Sequence, residues 1–292
     1  MTITELSPSV RREIEQLTDG CIGASPVRKR SLFDAFLIPG LQLMTLTSVS
    51  PKLSEIALLA KLYLTAIIVL LDDLADHPQH KNASLLRRLY KINLFSKQSP
   101  PHSSVEEDRI YAMVCELFLK LRCAIGELPH ASTLAPFLEF DIDQFYQANR
   151  YSELISTYPE AASLIEVQVL GPNNMGITAI GVIDLMASPL FHPGDLGVCR
   201  DVFTLGQRAG RISNSLATFT RELAEGDVTN EIIVGARRTS ECVYRCQILR
   251  EFERLIDEIL ERGQAQRTFD SQQYRVGIQE LHELHMAMVG TI

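Results

Sequence analysis

An all-α fold is what this sequence predicts, on three observations. No stretch alternates apolar and polar residues for more than a few positions, so no sheet is encoded. Several segments carry apolar residues at helical spacing, with Gly-, Pro- and Ser-containing breaks between them. The most apolar, Ser54 to Pro78 (SEIALLAKLYLTAIIVLLDDLADHP), runs for about four turns and then delivers Asp72, Asp73 and Asp76. A helix apolar on nearly all sides belongs in the centre of a bundle. The other helices are expected to pack around this one.

At 292 residues the chain suits a single domain, residues 1–292, with a substantial core. Hydrophobic residues at 46% and charged residues at 22% are an ordinary globular balance. Net charge is −8 without a basic run, which argues against nucleic acid as a partner. Six cysteines (Cys21, Cys115, Cys123, Cys199, Cys242, Cys246) show no CxxC spacing. With no secretory signal at the N-terminus, they read as reduced thiols of a cytoplasmic protein. Ile56 to Leu71 is the one candidate membrane segment. It is shorter than about 20 residues and contains Lys61, so a buried helix and no stable membrane insertion are expected.

Taken in order, Ser7 to Leu17 can form a short amphipathic helix, and Cys21 to Arg30, with Gly23 and Pro26, reads as a loop. Its basic VRKR reads first as a solvated segment, with a lid over a site mouth as the other reading. Beyond the central helix, Asn82 to Leu94 is helical and SKQSPPHSS is a loop. Ser104 followed by Glu107 is a capping box that opens a helix to about Ile125. Thr133 to Ser156 is helical and carries Phe137, Phe140, Phe145, Tyr146 and Tyr151, and Pro159 opens the next helix. Gly171-Pro172 must interrupt any helix that spans it, because Pro lacks the amide donor and its ring clashes with the preceding turn. Gly176, Ala179 and Gly181 follow, where bulk would block a cavity. No P-loop, GxGxxG or Ser-His-Asp signature is present. HELH at 282–285 spaces its histidines three apart, where the HExxH metalloprotease helix needs four.

The chemistry lies in two polar clusters. Asp72 and Asp76 are four apart and share a helix face, with Asp73 beside them. Buried carboxylates are costly unless paired, so the cluster is either hydrated at a helix end or holds a cation. Mg²⁺ suits it: a hard cation that takes one or two carboxylates and completes its shell with water and phosphate. In RISNSLATFTRELAEGD, Asn214, Thr218 and Glu222 fall at i, i+4 and i+8, within roughly 80° on one stripe. An amide oxygen, a hydroxyl and a carboxylate again make a hard-cation set.

Together these two motifs resemble class I terpene synthases, whose paired signatures are an aspartate-rich DDxx(D/E) and a later NSE triad. The likeness, to bacterial-type terpene cyclases, covers most of the chain in length and helical layout, but only the two motifs are specific. It implies a class I terpenoid synthase helical bundle, of roughly ten or more helices, around an apolar cavity with both motifs at one end. It implies Mg²⁺ as cofactor and ionisation of a prenyl diphosphate to a terpene hydrocarbon or alcohol plus diphosphate. Asp72 and Asp73 would hold metal on one wall, with Asp76 a direct or outer contributor. Asn214, Thr218 and Glu222 would chelate another ion opposite, and Arg221 would clamp the diphosphate. The break at Gly171-Pro172 would turn backbone carbonyls towards the cavity, where their dipoles stabilise a carbocation.

Departures from the family bear on the substrate. Gln168 stands where many members carry a diphosphate-sensing arginine. The C-terminal Arg-Tyr pair is missing, with Tyr274-Arg275 in reversed order nearby. Arg211 and Arg150 are weaker candidates for the clamp. A reduced clamp and small residues at the break favour a C20 diterpenyl diphosphate, either linear or in a bicyclic labdane-type version supplied by an upstream class II cyclase. Farnesyl diphosphate is the alternative, as for a sesquiterpene synthase. A prenyl-elongating synthase would carry a second aspartate-rich motif where this chain has NSLATFTRE. A non-catalytic helical interaction protein is the rival from another class. A homodimer is compatible with the family.

Overall fold

In the computed structural model, which describes residues 6–25, 28–77, 80–94 and 106–290, twelve α-helices follow one another, and no β-strand occurs among the described residues. The first, α1 (Pro8–Ala24), is capped by Ser7 and runs past Leu17, because Thr18, Cys21 and Ala24 continue its buried stripe. A π-helical turn, Leu32–Leu37, feeds α2 (Ile38–Leu43). The central apolar run forms α3 (Ser54–Asp76), and α4 (Ala83–Leu89) starts where the Asn82 side chain accepts from the Leu85 N–H at 2.9 Å. The fourth helix stops at Leu89, short of the expected Leu94. The expected SKQSPPHSS loop lies outside the described residues, and with it Ser104, the cap of the expected capping box. The helix they precede, α5 (Glu106–Gly126), is followed by α6 (Ala131–Thr157). Pro159 opens only a 3-10 turn, Pro159–Ala161, before α7 (Leu164–Leu170).

The chain breaks where Gly171-Pro172 requires it: a 3-10 turn, Gly171–Met175, separates α7 from α8 (Ile177–Met186). The remaining helices are α9 (Leu196–Glu225), α10 (Glu231–Ala236), α11 (Glu241–Gly263) and α12 (Ser271–Ala287).

Two helices organise the packing. The central α3 is buried on nearly all sides from Ala57 to Leu71 and packs on α1, α2, α4, α5, α6 and α8. By length and composition it could cross a membrane, yet 72% of its most apolar window is buried within the bundle. Long α9 packs on α8, α10, α11 and α12. Between these two halves lies α8, every residue of which is buried against α3, α6 or α9. The C-terminal ends of α3 and α9 therefore meet at one end of the bundle.

Gly176 and Ala179 line a cavity of about 150 Å³ with Asp141, Arg200 and Gln207, but at Gly176 and Gly181 the space a side chain would take is already filled. Gly176 adopts φ 64°, and a Cβ there would lie 2.4 Å from Ile68 Cδ1. A Cβ on Gly181 would meet the Phe203 ring at 2.6 Å. These positions are small because neighbouring side chains fill the room.

Candidate active site

Asp72, Asp73 and Asp76 occupy the last turn of α3, but they do not act alike. Asp73 is 1% exposed, and both its oxygens are engaged. Ser25 Oγ donates to one at 2.6 Å, and Arg28 donates to the other through Nε at 2.7 Å and Nη2 at 2.5 Å. Asp72 and Asp76 line a polar pocket at the mouth of the bundle, with Arg28 Nη2 4.0 Å from Asp72. The basic segment expected to be solvated thus sends Arg28 into the aspartate cluster.

The opposite wall is the end of α9. Asn214 and Glu222 line the same pocket, as does Arg221, whose guanidinium reaches Glu225 at 2.8 Å and Glu222 at 3.3 Å. Thr218 sits behind them, its hydroxyl donating to the Asn214 carbonyl at 2.8 Å. The helix ends at Gly226, φ 72°, and the next turn folds back over the site. That turn adds Asp227 and Thr229 to the lining. Buried Arg211 donates to the Thr229 carbonyl at 2.7 Å, while its Nε is buried without a hydrogen-bond acceptor among the described residues. The same Nε would lie 3.4 Å from a Cβ on Gly171, so Arg211 spans the pocket and the helix break.

Charge is unbalanced here. Five carboxylates (Asp72, Asp76, Glu222, Glu225, Asp227) and three guanidiniums face the pocket, and Arg28 is committed mainly to Asp73. Burial, opposed by Arg28 and reinforced by Asp73, pushes the Asp72 carboxyl up to about 6. Burial and then Asp72, Asp227 and Glu222 hold Asp76 well above the usual carboxylate range. Burial and Asp227 raise Glu222. Among the described residues no three His, Cys, Asp or Glu side chains converge tightly enough to hold a metal by themselves. The donor set still fits Mg²⁺, since that cation needs one or two carboxylates and takes its other ligands from water and phosphate.

A pH dependence follows. A carboxyl whose folded value is raised keeps a proton that the unfolded chain releases, so it favours the fold at low pH and loses that contribution as pH rises through its folded value. Metal-free protein is therefore expected to lose thermal stability between about pH 4 and pH 7, and Asp76→Asn should flatten the slope. Mg²⁺ with inorganic diphosphate should raise Tm more at about pH 7.5 than at about pH 5, because a bound cation displaces those protons. Equal shifts at the two pH values would count against a cation in this pocket.

The other sequence-derived candidates lie elsewhere. Gln168 donates to Glu231 at 3.3 Å and to Tyr244 Oη at 3.1 Å, within a cluster anchored by Arg208. Arg150 stacks over the Tyr90 ring at 4.9 Å. Tyr274 packs in the core against Phe203 and Phe269, and Arg275 lies 3.7 Å from Asp257. Sequence reading missed Arg28 and Asp227. The only available signal for each was position: a basic triplet upstream of DDLAD, and an acid just past the end of the asparagine stripe.

No protein-family model matches the chain, and no curated protein matches it in sequence. Its structure is similar to isoprene synthase from grey poplar leaves (Populus x canescens), solved alone and in complex with three Mg²⁺ ions and dimethylallyl-S-thiolodiphosphate. Each comparison gives a TM-score of 0.67 at 12% identity over 94% of this chain and 52% of the other. The chain therefore spans about half the length of those proteins. In architecture it is an all-α bundle with the fold of a class I terpenoid synthase.

Proposed function

We propose that this protein is a Mg²⁺-dependent terpene synthase that ionises a linear prenyl diphosphate. The observation that carries the reading is that Asp72 and Asp76 from the end of α3 and Asn214 and Glu222 from the end of α9 line one pocket together with three arginines. Mg²⁺ held there would neutralise the departing diphosphate, so the allylic C–O bond breaks without a protein acid. Arg28, Arg211 and Arg221 supply guanidinium donors suited to diphosphate oxygens. Thr218 completes the stripe behind Asn214, and Asp73 acts through Arg28, which it holds at the pocket edge. The reading also requires that the bundle exclude water from the cation until a proton is lost or one water is admitted.

The geometry favours a shorter, linear substrate over a bicyclic C20 one. Arg211 and Arg221, beside an Arg28 that Asp73 holds at the pocket edge, make a fuller clamp than Gln168 alone suggested, and a firm clamp is what coiling a flexible chain demands. The room expected at Gly176 and Gly181 is taken by Ile68 and Phe203. Farnesyl diphosphate is the substrate we infer, with no upstream cyclase required.

Diphosphate release with farnesyl, geranylgeranyl and labdane-type bicyclic diphosphates, compared as kcat/KM, tests both levels. Farnesyl diphosphate is expected to rank first. A preference for the bicyclic substrate would overturn the chain-length inference alone. No Mg²⁺-dependent release from any of the three would favour the non-catalytic reading. Asn214→Ala and Glu222→Ala should each raise the Mg²⁺ needed for half-maximal rate, while Leu216→Ala, off the stripe, should leave it unchanged.

A further inference from the structure

We propose that Asn230 is the positioning residue of this site: it aims the Glu222 carboxylate into the pocket from outside the set of metal-binding and diphosphate-binding groups. The inference rests on the metal-site reading above and adds to it a residue that neither motif contains.

Asn230 is fully buried, and its side-chain amide is almost completely used. Its Oδ1 accepts from the Ile232 N–H at 2.8 Å and so caps α10. Its Nδ2 donates to the Ser215 carbonyl at 2.9 Å and to Glu222 Oε2 at 2.7 Å. The orientation of the amide follows from its partners. A backbone N–H can only be met by the oxygen, and a carbonyl and a carboxylate can only be met by the nitrogen. One planar group therefore ties the start of α10 to the middle of α9 and to Glu222, one turn above the helix end.

The anchor beneath Asn230 is rigid. Glu231 is fully buried and is gripped by Arg208 from α9, by Tyr244 Oη from α11 at 2.6 Å and by Gln168 from α7 at 3.3 Å. Held on both sides, the Asn230 amide cannot follow Glu222 if that side chain rotates, so it selects one carboxylate orientation. Oε2 is thereby committed to the protein. Oε1, which among the described residues is met by Arg221 at 3.3 Å, is left for the pocket. Fixing a ligand in advance removes the ordering cost from cation binding, and outer partners of metal ligands typically carry about 10–100-fold in affinity.

The alternative is that Asn230 is only a helix cap. Asn230→Ser separates the two roles, because Ser caps nearly as well but is too short to reach Glu222. Asn230→Asp keeps the cap and places a like charge against Glu222. The probe is Mn²⁺ in the presence of inorganic diphosphate, with free Mn²⁺ read by electron paramagnetic resonance on the full chain, alongside metal-free thermal melts. Both variants should melt cooperatively and bind Mn²⁺ about tenfold more weakly or worse. In a Glu222→Gln background, Asn230→Ser should cost little further affinity, since its effect passes through that carboxylate. Mn²⁺ affinity within twofold of the parent in Asn230→Ser would overturn the proposal, as would an equal loss in the Glu222→Gln background. If Glu222→Gln itself leaves Mn²⁺ binding unchanged, the metal-site reading falls, and the role of Asn230 falls with it.

Discussion

Asp72→Ala and Asp76→Ala are each expected to lower Mg²⁺-dependent turnover by about two orders of magnitude, roughly 3 kcal/mol of barrier, with helicity retained. Asp73→Ala is expected to fail differently. Asp73 is buried with both oxygens bonded, so its removal strands the Arg28 guanidinium and the Ser25 hydroxyl. Breaking a fully buried pair costs about 3–5 kcal/mol. Arg28 retains 22% side-chain exposure, so a loss of about 2 kcal/mol is the better expectation, read from urea melts. Its turnover should fall as well, because Arg28 is then free to pair with Asp72. Near-parental turnover in both Asp72→Ala and Asp76→Ala would remove the aspartates from the chemistry. An Asp73→Ala protein as stable as the parent would remove the distinction between them.

That distinction marks the limit of what the sequence discloses. The spacing of DDLAD places Asp72 and Asp76 on one face, and this is the pair that lines the pocket. Nothing in the spacing says that Asp73 has an arginine waiting, because Arg28 arrives from a segment with no periodic pattern and a loop's path is not set by local preference. Helix existence was legible wherever an apolar stripe ran unbroken, and the Gly171-Pro172 break followed from covalent chemistry alone. Helix ends were less so: α1 continues to Ala24 since Cys21 and Ala24 find core to bury, a tertiary cause.

The glycines illustrate the same asymmetry. A small residue in a sequence marks either an opening or a close approach, and only the partner decides which. At Gly176 and Gly181 the partners are Ile68 and Phe203, so what the sequence offered as room for a side chain is a close approach. Gln168 likewise looked like a hole in the diphosphate clamp. Its real neighbours, Glu231 and Tyr244, make it part of the scaffold beneath Asn230 and Glu222. Long-range hydrogen bonds of this kind leave no mark in composition or period.

Lys61→Met is expected to destabilise the fold by about 3–5 kcal/mol, the largest stability effect we anticipate from a single substitution. Lys61, in the middle of α3, and Asp184, in α8, are both fully buried, with Nζ 2.9 Å from Asp184 Oδ1. The pair is supported on each side. Nζ also donates to Thr45 Oγ1 at 2.8 Å and the Leu41 carbonyl at 3.3 Å, and the Leu46 N–H donates to Asp184 Oδ2 at 3.1 Å. It thus joins the chain around the end of α2 to the two helices at the heart of the bundle. Removing the lysine leaves a carboxylate in an apolar core. Burial already raises Asp184, with Lys61 opposing it, and loss of Lys61 should raise it further. The penalty should therefore be smallest at low pH, where Asp184 can be protonated, and grow as pH rises through its folded value. Lys61→Met combined with Asp184→Leu should recover part of the loss, because a buried pair replaced by well-packed apolar groups is often neutral. A residue of about 1–3 kcal/mol should persist, since the Leu46 N–H then has no acceptor. Denaturant melts of the two single variants and the double variant measure all of this. A double variant no more stable than Lys61→Met would mean that packing around Lys61, rather than the stranded charge, sets the cost.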